Sequence, residues 1–390
     1  VITQRFLTFA GINIYFLFDP RREARALAPR SYAMPAARES SGAPLAAIGD
    51  FGGDGRQKLV VAQVGGDRGA ARDLIEMYGI QPESEPQMAL RMRVFPSSSA
   101  AGISEMLAAD VDPTSPGVEL LVVDEPAGRR NSARVKVLGG AQPNVHRPVG
   151  QFRVVRSRNG RSAALTLAAG NVLAETTGDR DIVVGDALGW VSVYRVRHGR
   201  AQRLRRYDAF PEIRRATAAR LAVGNLLPDR PGDEIVVGDD GTRGDGTLRV
   251  MDGREGHILL EVAALGSADA RDGLRLWVGD VIANLPGDEL IVGQGAAGGK
   301  LCVYSFADGN PRYLFDVRDD LPRLSTLQEH VAIGNLLPGL SGAELAVAQP
   351  DPRLPLQIFH LSESGATLVR EINIAGEEAQ QTVGSLVLGN

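Results

Sequence analysis

Apolar and polar residues alternate along this chain in short bursts, without the three-to-four residue spacing of an amphipathic helix. In "LAVGNLLPDRPGDEIVVGDD", beginning at Leu221, an apolar run closes on Gly-Asn, a polar loop follows, and a β-branched run begins. Runs of this length and composition, bounded by Gly, Pro, Asn and Asp, predict strands joined by turns. "LWVGDVIANLPGDELIVGQG" from Leu276 and "VAIGNLLPGLSGAELAVAQP" from Val331 repeat the pattern at 55-residue steps. Weaker copies begin at Ala46, Leu107 and Leu167. The Asn or Asp after the glycine anchors each copy: Asp50, Asp110, Asn171, Asn225, Asp280, Asn335 and finally Asn390. A Gly-rich turn, an alternating stretch such as "TLRVMDG" and a more polar fourth stretch complete each unit.

Four short antiparallel strands per unit, repeated around a ring, describe a β-propeller. The expectation is an all-β, seven-bladed β-propeller of four-stranded antiparallel blades. Its blades are expected at 45–105 (with an insertion at 65–89), 106–164, 165–219, 220–274, 275–329 and 330–384. A seventh is expected from 385–390 plus 1–44, so that the C-terminal strand pairs with the N-terminal strands and closes the ring. Within the insertion, "ARDLIEMYG" is expected to form a short helix.

That assignment also answers how to read "RFLTFAGINIYFLFDP" (residues 5–20), which has the look of a membrane anchor. It is shorter than the roughly 18–20 apolar residues that cross a bilayer, and Asn13 lies in its middle. Phe6 aligns with the start of the second strand in the other units, at Leu59, Leu120, Ile182, Ile235, Leu290 and Leu345. The stretch is therefore expected to supply strands and not a membrane span.

Composition narrows the class further. The chain has 390 residues, is 44% hydrophobic and 23% charged, and carries a net charge of −4, so the whole molecule has no electrostatic reason to bind nucleic acid. One cysteine, Cys302, excludes an internal disulfide and a multi-cysteine zinc site. Cysteine poverty fits an extracellular, periplasmic or cell-envelope location. Small residues fill two columns of the first strand: Gly49, Ala109, Gly170, Gly224, Gly279, Gly334 and Gly389, and, two positions earlier, Ala47, Leu107, Ala168, Ala222, Ala332 and Val387. Trp277 breaks the second column, either as a plug of the central channel or as part of a ring lining a ligand pocket.

"GDFGGDG" (49–55), "PGDEIVVG" (231–238) and "PGDELIVG" (286–293) resemble the FG-GAP/VCBS-type repeats of integrin α-subunit propellers. The resemblance implies calcium in the loop between first and second strands. Candidate ligands are Asp50 and Asp54 in blade one, Asn225, Asp229 and Asp233 in blade four, and Asp280, Asn284 and Asp288 in blade five. The match is partial, because Gly52 and Lys58 occupy two ligand places and Leu227 and Ile282 are apolar at the third. Three side chains fall short of the six to eight oxygens calcium takes, so any such site is expected to be weak. Alternatively, the anchor residue hydrogen-bonds its own turn.

No catalytic constellation is evident. The histidines, His146, His198, His257, His330 and His360, fall in different blades, and no HExxH, GxSxG or P-loop spacing occurs. Binding is the expected role, on the face formed by the 2–3 and 4–1 loops. Candidate residues there are Trp190, Arg156, Arg158, Arg161, Arg214 and Arg215, with Trp277. Between Arg195 and Arg220, nine arginines face only Asp208 and Glu212. They either decorate outer strands, where charge blocks edge pairing, or meet an acidic partner. Two functions stand: a non-catalytic scaffold docking a protein partner or surface assembly, and a carbohydrate-binding or lyase-type propeller acting on an anionic glycan.

Overall fold

The computed structural model describes residues 2–7, 11–15, 30–33, 45–62, 73–80, 87–95, 100–126, 132–139, 148–155, 165–174, 180–186, 189–211, 219–239, 246–265, 273–294, 300–317, 330–337, 339–348, 354–372 and 382–388. Every element among them is a strand, and every sheet has four antiparallel strands. Six of these sheets are consecutive stretches of chain: blade one (45–93), two (100–155), three (166–208), four (219–263), five (274–316) and six (330–372). Each blade runs in simple up-and-down order from a first, inner strand to a fourth, outer one.

The inner strands are Leu45–Gly49, Ala100–Ala109, Thr166–Gly170, Ala219–Gly224, Leu274–Gly279 and His330–Gly334. Each lies against the inner strand of the next blade. The second strands are the most deeply buried: Asp181–Gly185 and Glu344–Ala348 are buried throughout. Apolar side chains on both faces of these strands pack between blades, and separate clusters fill the junctions one–two, two–three, three–four, four–five and five–six. A smaller cluster around Ala346 and Ile358 covers the far side of blade six. Burial on both faces explains why these strands read as near-continuous Val, Ile and Leu and not as strict alternation.

The seven equivalent blades expected from the sequence are corrected to these six, which carry the described core. The terminal strands also pair, Thr382–Leu388 with Ile2–Leu7, then Gly11–Tyr15 and Arg30–Ala33. The first of these lies beside the inner strands of blades six and one. The side chains of this terminal sheet are outside the described residues, so no core is assigned to it.

The helix expected within 71–79 is also corrected. Leu74–Gly79 is the third strand of blade one, paired with Lys58–Ala62 on one side and Gln87–Arg93 on the other. Ile75 and Met77 pack into the blade one–two core while Leu74 and Tyr78 are also buried, and that burial outweighs local helix propensity. Blade two likewise begins earlier than expected, at Ala100, because its inner strand is ten residues long and bulged.

Candidate functional site

The acidic loop residues hold the fold together. In the sequence Gly-Asp-Glu at the entry to the second strand, each residue has its own task. The glutamate, Glu289 in blade five, is fully buried and receives the backbone N–H groups of Val281 and Ile282 on Oε2, at 3.1 and 2.9 Å. Glu119 does the same for Val111 and Asp112, and Glu344 for Leu336 and Leu337. Glu234 receives the N–H of Leu227 at 2.9 Å. The Oε1 atoms of Glu119, Glu289 and Glu344 have no protein hydrogen-bond partner. Burial raises the carboxyls of Glu119, Glu234 and Glu289 to about 7, against the lowering effect of those N–H groups.

The aspartate reaches to the preceding blade. Asp233 accepts the N–H of Asn171 at 2.7 Å and returns its own N–H to the Asn171 carbonyl at 3.0 Å. Asp288 treats Asn225 identically, at 2.8 and 2.7 Å. Val118 and Ala343 stand at the same position and retain only the backbone bond, to Asp50 and Asp280. The glycine before the clasp holds a left-handed backbone, with φ of 91° at Gly232 and 86° at Gly287. A side chain there would collide with the neighbouring blade, since a Cβ on Gly287 would lie 2.9 Å from the Asn225 carbonyl oxygen.

These contacts bear on the calcium implied by the resemblance. Asp233 and Asp288 face backbone N–H donors, which repel a cation. Asp50 accepts N–H groups from Gly52, Asp54 and Gly55. Burial pushes its carboxyl up, but these backbone N–H groups together outweigh it and hold the carboxyl below the usual range. Asp54 receives the N–H of Arg56, and the Lys58 ammonium enters the same loop near Gly52. Asp229, Asp280 and Asn284 are exposed. Among the described residues no group of three or more His, Cys, Asp or Glu side chains converges as metal ligands would. The donor set does not fit a calcium loop.

On the opposite face the structure gathers a different set. The 2–3 loop of blade three meets both the end of its own fourth strand and the start of blade four: Ala209 donates to the Gly189 carbonyl, and Ala219 to that of Asp186. This places the 2–3 and 4–1 connections together. Trp190 opens the third strand at this edge and is half-buried. The Arg206 guanidinium lies over its ring, 4.2 Å from the centroid, and approaches Asp186 at 3.8 Å. Asp186 in turn accepts the Trp190 N–H. Pairing of Trp190 with Asp208 puts Arg206, two residues back, on the same face of the sheet. Trp190 is clamped under a cation.

The basic run divides among three environments. Arg195 is buried and paired with Asp181 at 2.8 Å. Arg200, Arg203, Arg205 and Arg206 are exposed on the outer strand Arg200–Asp208. Arg220 lies on the inner strand of blade four. Arg156, Arg158, Arg161, Arg214 and Arg215 fall outside the described residues. Trp277 lies on the inner strand of blade five, partly buried in the five–six cluster and close to Gly293.

Arg206 and the inner-strand charges Glu105, Arg220 and Arg275 were not singled out from sequence. A signal existed, because these three stand five residues before the anchors Asp110, Asn225 and Asp280, where other units carry Leu45, Thr166 and His330. Between blades four and five, on the 1–2 loop side, Leu227, Pro228, Leu259 and Phe306 line a groove of about 250 Å³.

No family model and no curated protein matches the chain. Solved structures do share its architecture. A chain of the mitotic checkpoint complex superposes with a TM-score of 0.50 at 11% identity, covering 91% of this chain and 86% of that one. A chain from BBS1N in complex with ARL6DN gives 0.48 at 11% identity, with 86% and 85% covered. Rhamnogalacturonan lyase YesW gives 0.39 at 13% identity, with 93% and 82% covered. At 11% identity the first of these likenesses establishes the propeller fold alone.

Proposed function

We propose that this chain is a non-catalytic, extracytoplasmic binding propeller that docks a protein partner with an acidic surface on its 2–3/4–1 face. The observation that carries the reading is Trp190 clamped beneath Arg206 at the edge of a basic outer strand. A flat aromatic held by a cation loses little conformational freedom on binding, and tryptophan and arginine are the residues on which interface energy concentrates. The exposed arginines beside it would steer an acidic surface toward that face. The FG-GAP/VCBS-type resemblance belongs to this proposal through its loop pattern, with the loop acids serving as interblade clasps and without calcium.

The test is cross-linking capture from the native source with wild type, Trp190→Ala and Arg206→Glu, followed by binding of the purified partner. The reading expects a partner held at low salt, weakened by added salt, and lost by both variants. An acidic glycan bound on an array and lost by the same variants would transfer the face to the carbohydrate reading. Partner binding indifferent to both variants would reject this face.

A further inference from the structure

Where blades three and four meet, two side chains of the outer strand Arg200–Asp208 reach onto the turn between the third and fourth strands of blade four. The Tyr207 hydroxyl donates to the carbonyls of Gly253 and Arg254, at 2.8 and 2.9 Å. The Arg205 Nε donates to the Arg254 carbonyl at 3.1 Å. The Tyr207 ring lies against Gly256, where an added Cβ would collide with it.

The next junction repeats this backbone without those side chains. Tyr207 and Arg205 pair with Val191 and Val193, and one blade later Val262 and Leu260 pair with Leu248 and Val250. Both outer strands skip one residue just beyond, Leu204 and Leu259, so the side-chain directions agree. Val262 and Leu260 are hydrocarbon and donate no hydrogen bond to the turn. Counted from Met251 and Tyr304, which pair with Ile235 and Leu290, the blade-five turn puts Phe306, Ala307 and Gly309 where blade four has Gly253, Arg254 and Gly256. Gly309 and Gly256 share a left-handed backbone, with φ of 73° and 74°. At Gly309, however, nothing lies within 4 Å of an added Cβ.

The place that the Tyr207 ring fills at one junction is therefore open at the next. The groove of about 250 Å³ is there, lined by Leu227, Leu259, Leu260, Phe306, Ala307 and Gly309. Such a volume suits a single ring better than a drug-sized ligand. Of the charged side chains that also line it, Arg230 is paired with Asp252 at 2.8 Å and the exposed Asp229 would repel an anion. A neutral, mostly apolar group with one donor fits best.

We propose that the groove between blades four and five is a binding site for a tyrosine side chain carried by a polypeptide partner. Its ring lies beside Gly309 and its hydroxyl donates to a backbone carbonyl of the blade-five turn. The chain supplies its own template, because Tyr207 is a tyrosine presented from an extended strand to the corresponding turn one blade earlier. Tyrosine combines an apolar body with a polar tip and loses little conformational freedom when held.

N-acetyl-tyrosinamide is the probe, followed by saturation-transfer NMR. Wild type is expected to bind it with a dissociation constant on the order of a millimolar. N-acetyl-phenylalaninamide should bind about fivefold more weakly, the worth of one hydrogen bond. Val262→Tyr and Leu260→Arg restore the blade-three side chains at this junction, and each should abolish binding while retaining the wild-type circular dichroism spectrum. Trp190→Ala should leave binding unchanged, which separates this groove from the 2–3/4–1 face. Equal affinity for the two amides overturns the role of the hydroxyl and with it the choice of tyrosine. Binding of p-cresol with refusal of the tyrosine amide overturns a polypeptide source in favour of a free phenol. Binding undiminished in both restored variants, or lost in Trp190→Ala, overturns the site. Should Val262→Tyr fail to fold, Leu260→Arg decides, since Arg205 at the corresponding place is exposed.

Discussion

Asp288 in blade five and Asn225 in blade four exchange two hydrogen bonds, N–H to carboxylate at 2.8 Å and N–H to carbonyl at 2.7 Å. The same exchange joins Asp233 to Asn171 one blade earlier. Asp233 and Asp288, which look like ligands within one loop, are ties between neighbouring loops. Asp288→Ala should remove the side-chain bond, leave the Asn225 N–H unpaired and lower stability by about 1–3 kcal/mol. Urea unfolding would measure it, and an unchanged midpoint would show that the clasp contributes nothing.

Glu289 separates two effects of one side chain. Glu289→Gln retains an acceptor for Val281 and Ile282 and removes the charge, so its cost should be small. Glu289→Ala strips two buried N–H groups and opens a cavity, so about 3–5 kcal/mol should be lost. Equal losses in the two variants would contradict the assigned role.

Gly117 has a φ of 77° and sits against the blade-one loop, where an added Cβ would fall on the Asp50 carbonyl oxygen and the Gly53 nitrogen. Both obstacles are backbone and cannot rotate away. Gly117→Ala should destabilise by more than about 2 kcal/mol through backbone strain and clash together. Gly309→Ala is the matched control, with a φ of 73° and nothing within reach of a Cβ; it should cost about 1 kcal/mol. Thermal melts of the pair would reveal whether contact with the next blade matters.

Stability should fall between about pH 4.5 and pH 7. Glu105, Glu119, Glu234 and Glu289 rise from an ordinary 4.5 to about 7 on folding, chiefly by burial. Between those values the unfolded chain releases protons that the folded one keeps, so the stabilisation present below 4.5 is lost as pH passes 7. Asp50 and Asp252 are lowered from 3.8: burial opposes the shift, but backbone N–H groups outweigh it, with Arg230 assisting at Asp252, and their contribution disappears in stronger acid. The melting temperature should therefore peak near pH 4.5–5 and exceed its value at pH 8. A rise toward pH 8 would contradict these shifts.

Millimolar calcium should leave the melting temperature unchanged, and a chelator should have no effect. A rise of several degrees with calcium, abolished by Asp50→Asn, would restore a metal to the blade-one loop.

Much of this architecture is legible without coordinates, because strand periodicity and a 55-residue repeat are local properties of the chain. The Gly-Asn anchors, the Gly-Asp-Glu entries and the small inner-strand residues mark where each blade turns and where neighbours crowd. Leu74–Gly79 misled for the converse reason: its helix-compatible composition is local, whereas its burial between two strands of blade one is not. Which residue an acid faces is likewise a matter of neighbouring blades. Asp288 lies 63 residues from the N–H group it receives, and Arg206 meets Trp190 only through cross-strand register. Repetition along the chain determined the kind of fold. The packing of one blade on the next decided what its charges do, because a charge answers to whatever lies within a few ångströms, and those neighbours come from distant sequence.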